Sequence, residues 1–388
     1  MGMKKLFGII SVCLATVSAM TMTGKTIASA AEMSLVSGCK SAYLMDFNSG
    51  ECIYKENETT RMPIASVCKV MTLTLCFDAI KDGKFSLEDM VTVSDNAAGM
   101  GGSQVFLDSG LEYSVEQLIK SIIVCSANDS CVALSETIAG SEEQFVEKMN
   151  NKAEELGCAD TLFANCTGLP RETQYSCARD VAVMFKNLIS YENYFTYSKI
   201  WLEDFAHPDN RTTSMTNTNK LIRKYSFCDG GKTGFTNEAG FCLASTAKKN
   251  DLRLISVVLG ASSSDDRFDS TIKMFDYGFA NYKNKIVLDK NVTLNDEFAV
   301  IGGKKETFAV RPERNSYVFS AADQTPQITH NVIAYRVKAP IACDQIVGEI
   351  EVFKEGVLID RVNVVAAEAV AKASFVDHFR RNARDWAF

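Results

Sequence analysis

Histidine, tryptophan and proline are scarce in this chain. Among 388 residues there are three histidines, two tryptophans and six prolines, and no pair of cysteines forms a Cys-x-x-Cys motif. Protein zinc sites are built mainly from closely spaced cysteines and histidines. Because the three histidines are also far apart in the sequence, we expect no metal site and no cofactor; they are His207, His330 and His378.

Positive charge is also in short supply. The chain has 41 lysines and arginines against 48 acids, a net charge of −7. Residues 1–30 contain three lysines and no acid, so the remainder would carry a net charge of −10. An acidic chain without a basic stripe is a poor partner for nucleic acid. We therefore expect no nucleic-acid binding.

Long apolar runs are absent after the first thirty residues. At the N-terminus, Lys4 and Lys5 precede an apolar run from 6 to about 22 that serines and threonines interrupt, and Ala28-Ser29-Ala30 follows. This pattern predicts a cleaved signal peptide over residues 1–30. The alternative is a membrane-spanning anchor, for which the run is short. We expect an exported protein at the outer face of the cytoplasmic membrane or in the cell wall.

Twelve of the thirteen cysteines follow residue 30 and could pair in an exported protein. Their spacing does not resemble a disulfide framework. Several lie in predicted core helices, where a thiol packs as a small apolar group. We expect free, buried thiols; those in predicted core helices are Cys68, Cys76, Cys125 and Cys131.

The stretch around which the chain is organised is 63–72. It places Ser66 three residues before Lys69, at the start of a mostly apolar run through Ile80. Residues three apart on a helix share one face, so the hydroxyl and the amine would lie within reach of each other. A serine needs a base to become a nucleophile, and burial lowers a lysine pKa enough to provide one. Alone, the pattern also fits a helix start capped by Ser66.

Two later polar stretches favour the nucleophile over the helix cap as the role of Ser66. Ser126 and Asn128 lie in a short break between two predicted helices. Lys232 and Thr233 precede Gly234, which would let another backbone approach closely, and two strand-like runs follow at 241–247 and 252–260. Taken singly, the first stretch is a helix–helix turn and the second is a strand start with a lysine.

Together and in this order, Ser-x-x-Lys, Ser-x-Asn and Lys-Thr-Gly form the motif set of penicillin-binding proteins and class A β-lactamases. The sequence around these motifs resembles the serine D-alanyl-D-alanine carboxypeptidases of peptidase family S11. These are the low-molecular-mass penicillin-binding proteins of bacterial cell-wall metabolism. The resemblance covers nearly the whole mature chain. It is carried by 63–72 (PIASVCKVMT), 100–103 (MGGS), 126–129 (SAND), 217–221 (NTNKL) and 229–236 (DGGKTGFT).

The resemblance implies that Ser66 attacks the penultimate D-Ala of a peptidoglycan stem pentapeptide and that the terminal D-Ala leaves. Lys69 would be the base, and Ser126 would relay a proton to the leaving group. It also implies covalent inhibition by β-lactams. The substrate-binding residues it implies are Asn128, Lys232, Thr233, Gly234, Phe235 and Arg267, with the backbone N–H groups of Ser66 and Phe235 as the oxyanion hole.

Two positions depart from the family pattern. Some relatives have a histidine after Lys-Thr-Gly, where this chain has Phe235, and a common histidine-tyrosine pair is Gln174-Tyr175 here.

Three alternative functions stay open. A β-lactamase would use the same residues, but no Glu-x-x-Leu-Asn-like segment follows Asn128. An endopeptidase acting on cross-links is chemically close, and a non-catalytic penicillin-binding wall module belongs to a different class.

The predicted fold is α+β. Strands at 41–55 and after Lys232 would form one antiparallel sheet around a helical block, giving a transpeptidase-like domain over 31–284. Capping boxes at Ser114 and Ser141, a cap at Ser176 and a helix over 265–282 complete it. Short strands and turns predict a small β-sandwich domain over 285–367.

The last segment, 368–388, predicts an amphipathic helix. Its aromatic residues fall mostly on one face and its arginines on the other, which is typical of a helix lying in a membrane interface. Related carboxypeptidases often end in such an anchor, so the resemblance favours the same role here. A helix packed on its own domain, or a frayed tail, is the alternative.

Overall fold

The computed structural model describes residues 34–379. The predicted signal peptide lies outside these residues, as does the predicted tail from 380 onwards. A 3₁₀ turn at Ala65–Cys68 precedes the first α-helix. The helices are α1 Lys69–Lys81, α2 Asp95–Ala98, α3 Val115–Val124, α4 Asn128–Ala139, α5 Glu142–Glu155, α6 Ala178–Leu188, α7 Tyr194–Ser198, α8 Leu221–Lys224 and α9 Ser264–Asn281.

The strands fall into two groups along the chain. Those before α9 are β1 Ser41–Asp46, β2 Cys52–Glu56, β3 Met90–Thr92, β4 Glu112–Ser114, β5 Leu202–Ala206, β6 Thr212–Thr216, β7 Cys228–Thr236, β8 Gly240–Lys249 and β9 Leu252–Ala261. Those after it are β10 Tyr282–Leu288, β11 Glu297–Ile301, β12 Thr307–Pro312, β13 Ser316–Ala321, β14 Ile328–Ala334, β15 Val337–Lys338, β16 Ile346–Lys354 and β17 Val357–Ala366.

A five-stranded antiparallel sheet in the order β2-β1-β9-β8-β7 is the centre of the first region. Both faces of β9 are covered, because alternate residues of a strand point to opposite faces. Ile255, Val257 and Leu259 join the core under the helical block. Leu254 and Val258 join a second core, under α9. The predicted sheet, built from both ends of the region, is confirmed, and β7 lies at its edge.

Most of the predicted helix caps are present. Ser141 caps α5 by accepting the backbone N–H of Gln144, without the reciprocal bond that a full capping box would have. Ser114 and Gln117 form the predicted reciprocal capping box of α3, and Gly140 ends α4 with a left-handed φ of 88°. The predicted cap at Ser176 is wrong, because α6 starts one residue later, with Cys177 at the N-cap position. Ser176 instead forms a bridge with Met62 and a side-chain hydrogen bond with Thr161.

The second region is all β up to residue 374. Residues 375–379, the described part of the predicted tail helix, are helical. A six-stranded sheet runs in the order β14-β16-β17-β12-β11-β15, and β10 pairs with β13. Its core consists of valine, isoleucine, leucine, phenylalanine and alanine side chains. The predicted architecture, a mixed sheet-and-helix region followed by an all-β region, is confirmed. The boundary at 284/285 stays a prediction, and it falls inside β10. Between residues 34 and 379, no helix is long and apolar enough to cross a bilayer.

Candidate active site

Ser66 and Lys69 are joined by a 3₁₀ turn rather than by an α-helix. The turn covers Ala65–Cys68, and Lys69 is the first residue of α1. Residues three apart eclipse each other in a 3₁₀ turn, so the spacing still brings the two side chains together. The Nζ of Lys69 lies 2.9 Å from the Oγ of Ser66. The predicted hydroxyl–amine pair is therefore present.

Lys69 is fully buried. Its amine donates a 2.5 Å hydrogen bond to the carbonyl oxygen of Thr167, and no carboxylate of the described chain pairs with it. Burial lowers the pKa of the Lys69 amine, because the charged form loses hydration that an uncharged carbonyl does not replace. This direction favours the neutral amine, which can accept a proton from a hydroxyl.

Ser126 and Lys232 form a second hydroxyl–amine pair. Ser126 lies between α3 and α4 with a φ of 68°, and Lys232 lies on β7 and is buried. The Nζ of Lys232 donates to the Oγ of Ser126 at 2.8 Å and to the carbonyl oxygen of Thr233 at 3.1 Å. Burial and, secondarily, the charge of Lys69 hold the pKa of Lys232 well below its usual value. The two amines therefore share one poorly solvated, electropositive site.

Two glycines let the backbone close around Ser66. A Cβ on Gly234 of β7 would lie 2.8 Å from the carbonyl oxygen of Ile64 and 3.0 Å from the amide nitrogen of Ser66. A Cβ on Gly168 would lie only 2.0 Å from the carbonyl oxygen of Ala65, and Gly168 has a φ of 82°. Ala65 itself has a positive φ of 47°. The turn that carries Ser66 is thus held in an unusual backbone conformation by tight contacts on two sides.

Asn128 is held by the loop at 100–103, which in the sequence served only as one of the motifs of the family resemblance. Its side-chain amide nitrogen donates to the carbonyl oxygen of Gly101 at 2.6 Å, and its backbone N–H donates to that of Ser103 at 2.7 Å. The side-chain oxygen Oδ1 is buried and has no hydrogen-bond partner in the described part of the chain. Buried polar atoms are almost always paired, so this oxygen is an acceptor available to a ligand N–H.

The remaining implied substrate residues take different positions. Thr233 donates from its hydroxyl to the hydroxyl of Thr218 at 2.7 Å. Phe235 is 53% exposed and its ring packs on that of Phe241, with 4.4 Å between centroids. Arg267 is buried, and its guanidinium donates to the carbonyl oxygens of Gly234 and Cys242. Burial lowers the pKa of Arg267 to about 10. The arginine thus lies against the backbone of β7 and β8.

The turn at 165–168 was missed by sequence reasoning. Asn165 organises it, because its Oδ1 accepts the backbone N–H groups of Thr167 and Gly168. Gln174 accepts the N–H groups of Ala164 and Asn165, so the residue that departs from the family pattern supports this turn. An asparagine three residues before a glycine is a turn signal, but nothing in it shows that the Thr167 carbonyl would reach Lys69.

None of the twelve described cysteines forms a disulfide, and most are buried; Cys52 and Cys343 are exposed, contrary to the expectation. Cys68 donates a hydrogen bond to the carbonyl oxygen of Asn165. Burial raises the pKa of Cys68 far above the range in which it would ionise, so it acts as a packing group beside Ser66.

A group of possible metal ligands lies away from these residues. Asp160, Cys177 and Asp180 approach one another closely. Arg179 pairs with both carboxylates, with N–O distances of 3.1 Å. Its guanidinium already balances the negative charge there, so the group carries no argument for a metal ion.

Comparison with known families gives two matches. The family described as D-alanyl-D-alanine carboxypeptidase matches residues 26–263, and the one described as penicillin-binding protein 5, C-terminal domain, matches residues 282–372. The D-alanyl-D-alanine carboxypeptidase DacF of Bacillus subtilis is 36% identical over 348 residues, which is 89% of this chain and 90% of that protein. DacC of Escherichia coli is 32% identical, covering 86% and 84% of the two chains.

Solved structures agree with these matches. Penicillin-binding protein 5 of Haemophilus influenzae superposes with a TM-score of 0.66 at 29% identity, covering 86% of this chain and 98% of that one. A peptidoglycan synthesis regulatory factor of Streptococcus pneumoniae, penicillin-binding protein 3, superposes with a TM-score of 0.70 at 25% identity, covering 86% and 99%. The likeness extends through both regions of the chain.

Proposed function

The chain belongs to the D-alanyl-D-alanine carboxypeptidase family, peptidase S11, whose members are serine hydrolases, and on this premise we propose that Ser66 is its nucleophile. The observation that carries the proposal is the pair of hydroxyl–amine contacts, Ser66 with Lys69 and Ser126 with Lys232, in one buried site beside β7. The substrate is a peptidoglycan stem peptide that ends in D-Ala-D-Ala. β-Lactams acylate the same serine.

In acylation, the Oγ of Ser66 attacks the carbonyl carbon of the penultimate D-Ala, and its proton passes to the neutral amine of Lys69. The tetrahedral intermediate then collapses. The C–N bond to the terminal D-Ala breaks, and Ser126 supplies the proton that the leaving amine needs. The hydroxyl of Ser126 regains a proton from Lys232 or Lys69. The lowered pKa of each lysine supports these transfers.

In deacylation, the neutral amine of Lys69 takes a proton from the water that attacks the ester carbonyl. Lys69 returns this proton to the Ser66 oxygen as the ester bond breaks, which releases the tetrapeptide as its carboxylic acid. The N–H groups of Ser66 and Phe235 would stabilise the oxyanion in both steps. Such a donor is typically worth roughly 10²–10³ in rate. The tight approach of β7 to the Ser66 turn at Gly234 supports this assignment.

The terminal carboxylate of the substrate would be held by Lys232 and Thr233. The free Oδ1 of Asn128 would accept the N–H of the substrate amide. Arg267 would add positive charge from beneath the strand, because its guanidinium reaches the carbonyl of Gly234, next to Thr233. A direct contact with the carboxylate would require it to release one of its present carbonyl partners.

The test is intact-mass analysis of the protein with penicillin, together with chromatography of peptide products. We expect a lasting adduct on Ser66 and release of one D-Ala from a pentapeptide. In Ser66→Ala, with folding checked by circular dichroism, the adduct should disappear and turnover should fall by roughly 10⁴-fold or more. Rapid penicillin hydrolysis without an adduct would indicate a β-lactamase. Cleavage of cross-linked dimers in preference to pentapeptides would indicate an endopeptidase.

We also propose that the protein is exported and that the segment from 368 onwards holds it at the membrane surface. Phe375, Val376 and Phe379 are exposed, the first by 85%. Cosedimentation with vesicles containing anionic lipid tests this. The double variant Phe375→Ser, Phe379→Ser should lose binding, whereas Val357→Ser, which removes an exposed apolar side chain elsewhere, should keep it. Equal vesicle binding by the wild type, the double variant and Val357→Ser would contradict the proposal.

A further inference from the structure

A cavity of 340 Å³ opens beside the Ser66 turn. Its walls come from three segments: 63–65, immediately before Ser66; 168–174, the continuation of the turn that holds Lys69; and 236–238, which begins at the last residue of β7. The nucleophile and the two lysines do not line it. The cavity is therefore a neighbour of the reaction centre, and its place along β7 shows which part of a substrate would reach it.

The direction of the substrate along β7 follows from the proposed site. The terminal carboxylate would lie at Lys232 and Thr233, and the carbonyl under attack would lie beside Gly234, where β7 meets the Ser66 turn. Because β7 is an edge strand, an extended peptide can lie along it. The peptide would then run from its C-terminus at 233 towards its N-terminal part at 236, which is the end of β7 that opens into the cavity.

The length of the path agrees with this direction. From Thr233 to Thr236 is three strand residues, or about 10 Å at roughly 3.3 Å per residue. In an extended peptide, the residue before the acylated D-Ala is third from the end, so its Cα lies about 7–8 Å from the terminal carboxylate. The side chain of that residue would therefore enter the cavity beside Thr236.

Charged side chains of both signs line the cavity, and all of them are exposed to solvent. Arg171, Glu172 and Glu238 line it, and none of them forms an ion pair or side-chain hydrogen bond with another residue of 34–379. The apolar part of the lining comes from Ile64, Leu169 and prolines.

We propose that this cavity selects the third residue from the end of the stem peptide, and that it takes a side chain ending in an amino acid group, with an ammonium and a carboxylate on one carbon. The two glutamates meet the ammonium and Arg171 meets the carboxylate, while the side-chain methylenes lie on Ile64 and Leu169. An amine alone would leave Arg171 unpaired. The inference rests on the proposed function of the Ser66 site and adds a specificity determinant to it.

The experiment compares kcat/KM for D-Ala release from three peptides that differ only in the residue before D-Ala-D-Ala: diaminopimelate, lysine or alanine. Each enzyme is also titrated with penicillin, which measures the fraction of competent Ser66. The wild type should favour diaminopimelate over lysine by about fivefold and over alanine by about twentyfold, because charge-assisted contacts at an open site are worth roughly this much. High salt should reduce both ratios.

Variants assign the charges separately. Arg171→Gln should abolish the preference for diaminopimelate over lysine and keep that for lysine over alanine. Glu172→Gln and Glu238→Gln should lower the preference for both amine-bearing peptides over alanine. Glu147→Gln, which removes an exposed glutamate of α5, should keep the wild-type ratios.

Equal kcat/KM for the three peptides, or ratios that the cavity variants leave unchanged, would overturn the inference while D-Ala release and acylation uphold the proposed function. Absence of D-Ala release from every peptide would overturn both.

Discussion

The two regions of this molecule are stabilised in opposite ways. The first, from β1 to α9, buries basic side chains, including Lys69, Lys232 and Arg267, among apolar side chains. In the second, residues 285–379, the only buried polar side chains are the serines Ser316 and Ser320. Its charges lie at the surface, many of them in ion pairs such as Arg314 with Asp360 at 2.7 Å.

This difference indicates that the residues needed for catalysis lower the stability of the first region. Burying a cation without a carboxylate partner costs free energy, and left-handed residues such as Ala65 and Ser126 add strain. The buried basic side chains Lys69 and Lys232 and the left-handed residues Ala65 and Ser126 lie together at the Ser66 site, and the second core contains no buried lysine or arginine among the described residues. We therefore expect substitutions in the two regions to separate activity from stability, and the following measurements test that separation.

The largest separation should come from Lys232→Met. Loss of the amine should lower penicillin acylation by about 10³-fold, since it removes a contact to Ser126 and a charge for the substrate carboxylate. The same change should raise stability at pH 7 by about 1–2 kcal/mol, because it removes a buried cation. Denaturant unfolding measures the second effect. A destabilised variant would contradict this account.

The pH dependence of that gain has a defined sign. The pKa of Lys232 is lowered in the folded protein, so between that pKa and about 10.4, the usual value for lysine, the unfolded chain binds more protons. Wild-type stability therefore rises with pH across this window. The variant lacks this contribution, so its advantage should shrink as the pH rises towards 10.

Gly168→Ala should disturb the site next most strongly. A Cβ there would collide with the carbonyl of Ala65, so the Ser66 turn must move, and we expect acylation to fall by about 10²-fold. Gly110→Ala is the matched control, because Gly110 also has a positive φ, 77°, but no atom within 4 Å of the added Cβ. It should cost only about 1 kcal/mol of stability and no activity. Similar acylation rates for the two variants would contradict the proposed contact.

In the second region, Ile350→Ala should do the reverse. Ile350 is fully buried among apolar side chains, and its truncation should cost about 3 kcal/mol. Calorimetry should show the loss, while the acylation rate by penicillin stays within twofold of the wild type. A large fall in acylation would show that the two regions depend on each other more closely than their separate cores indicate.

The smallest effect is expected for Arg314→Ala. The guanidinium pairs with both oxygens of Asp360, but it is about half exposed. Surface ion pairs contribute about 1 kcal/mol or less, and salt weakens them. Unfolding at low and high ionic strength should give a difference from wild type that is small and shrinks with salt. A loss comparable to that of Ile350→Ala would show that this ion pair has a larger role.

Much of the fold could be predicted because its signals are local. The capping box at Ser114, the glycine at 140 and the apolar pattern of α9 depend on residues within a few positions of one another. Ser176 was misassigned as a cap because its hydroxyl is used by Thr161, fifteen residues away. The strand β10 was missed because its partner, β13, lies some thirty residues further on.

The sequence by itself determined which chemical groups the site contains. The spacing of Ser66 and Lys69 brings them together in any helical turn, and the order of the motifs places the chain in its family. Only the tertiary structure decided how those groups are tuned. The Thr167 carbonyl on Lys69, the close approach of Gly168 and Gly234, and the charged cavity at Arg171 and Glu238 all join segments distant in sequence. Burial, which lowers the lysine pKa values, is a property of the packed chain.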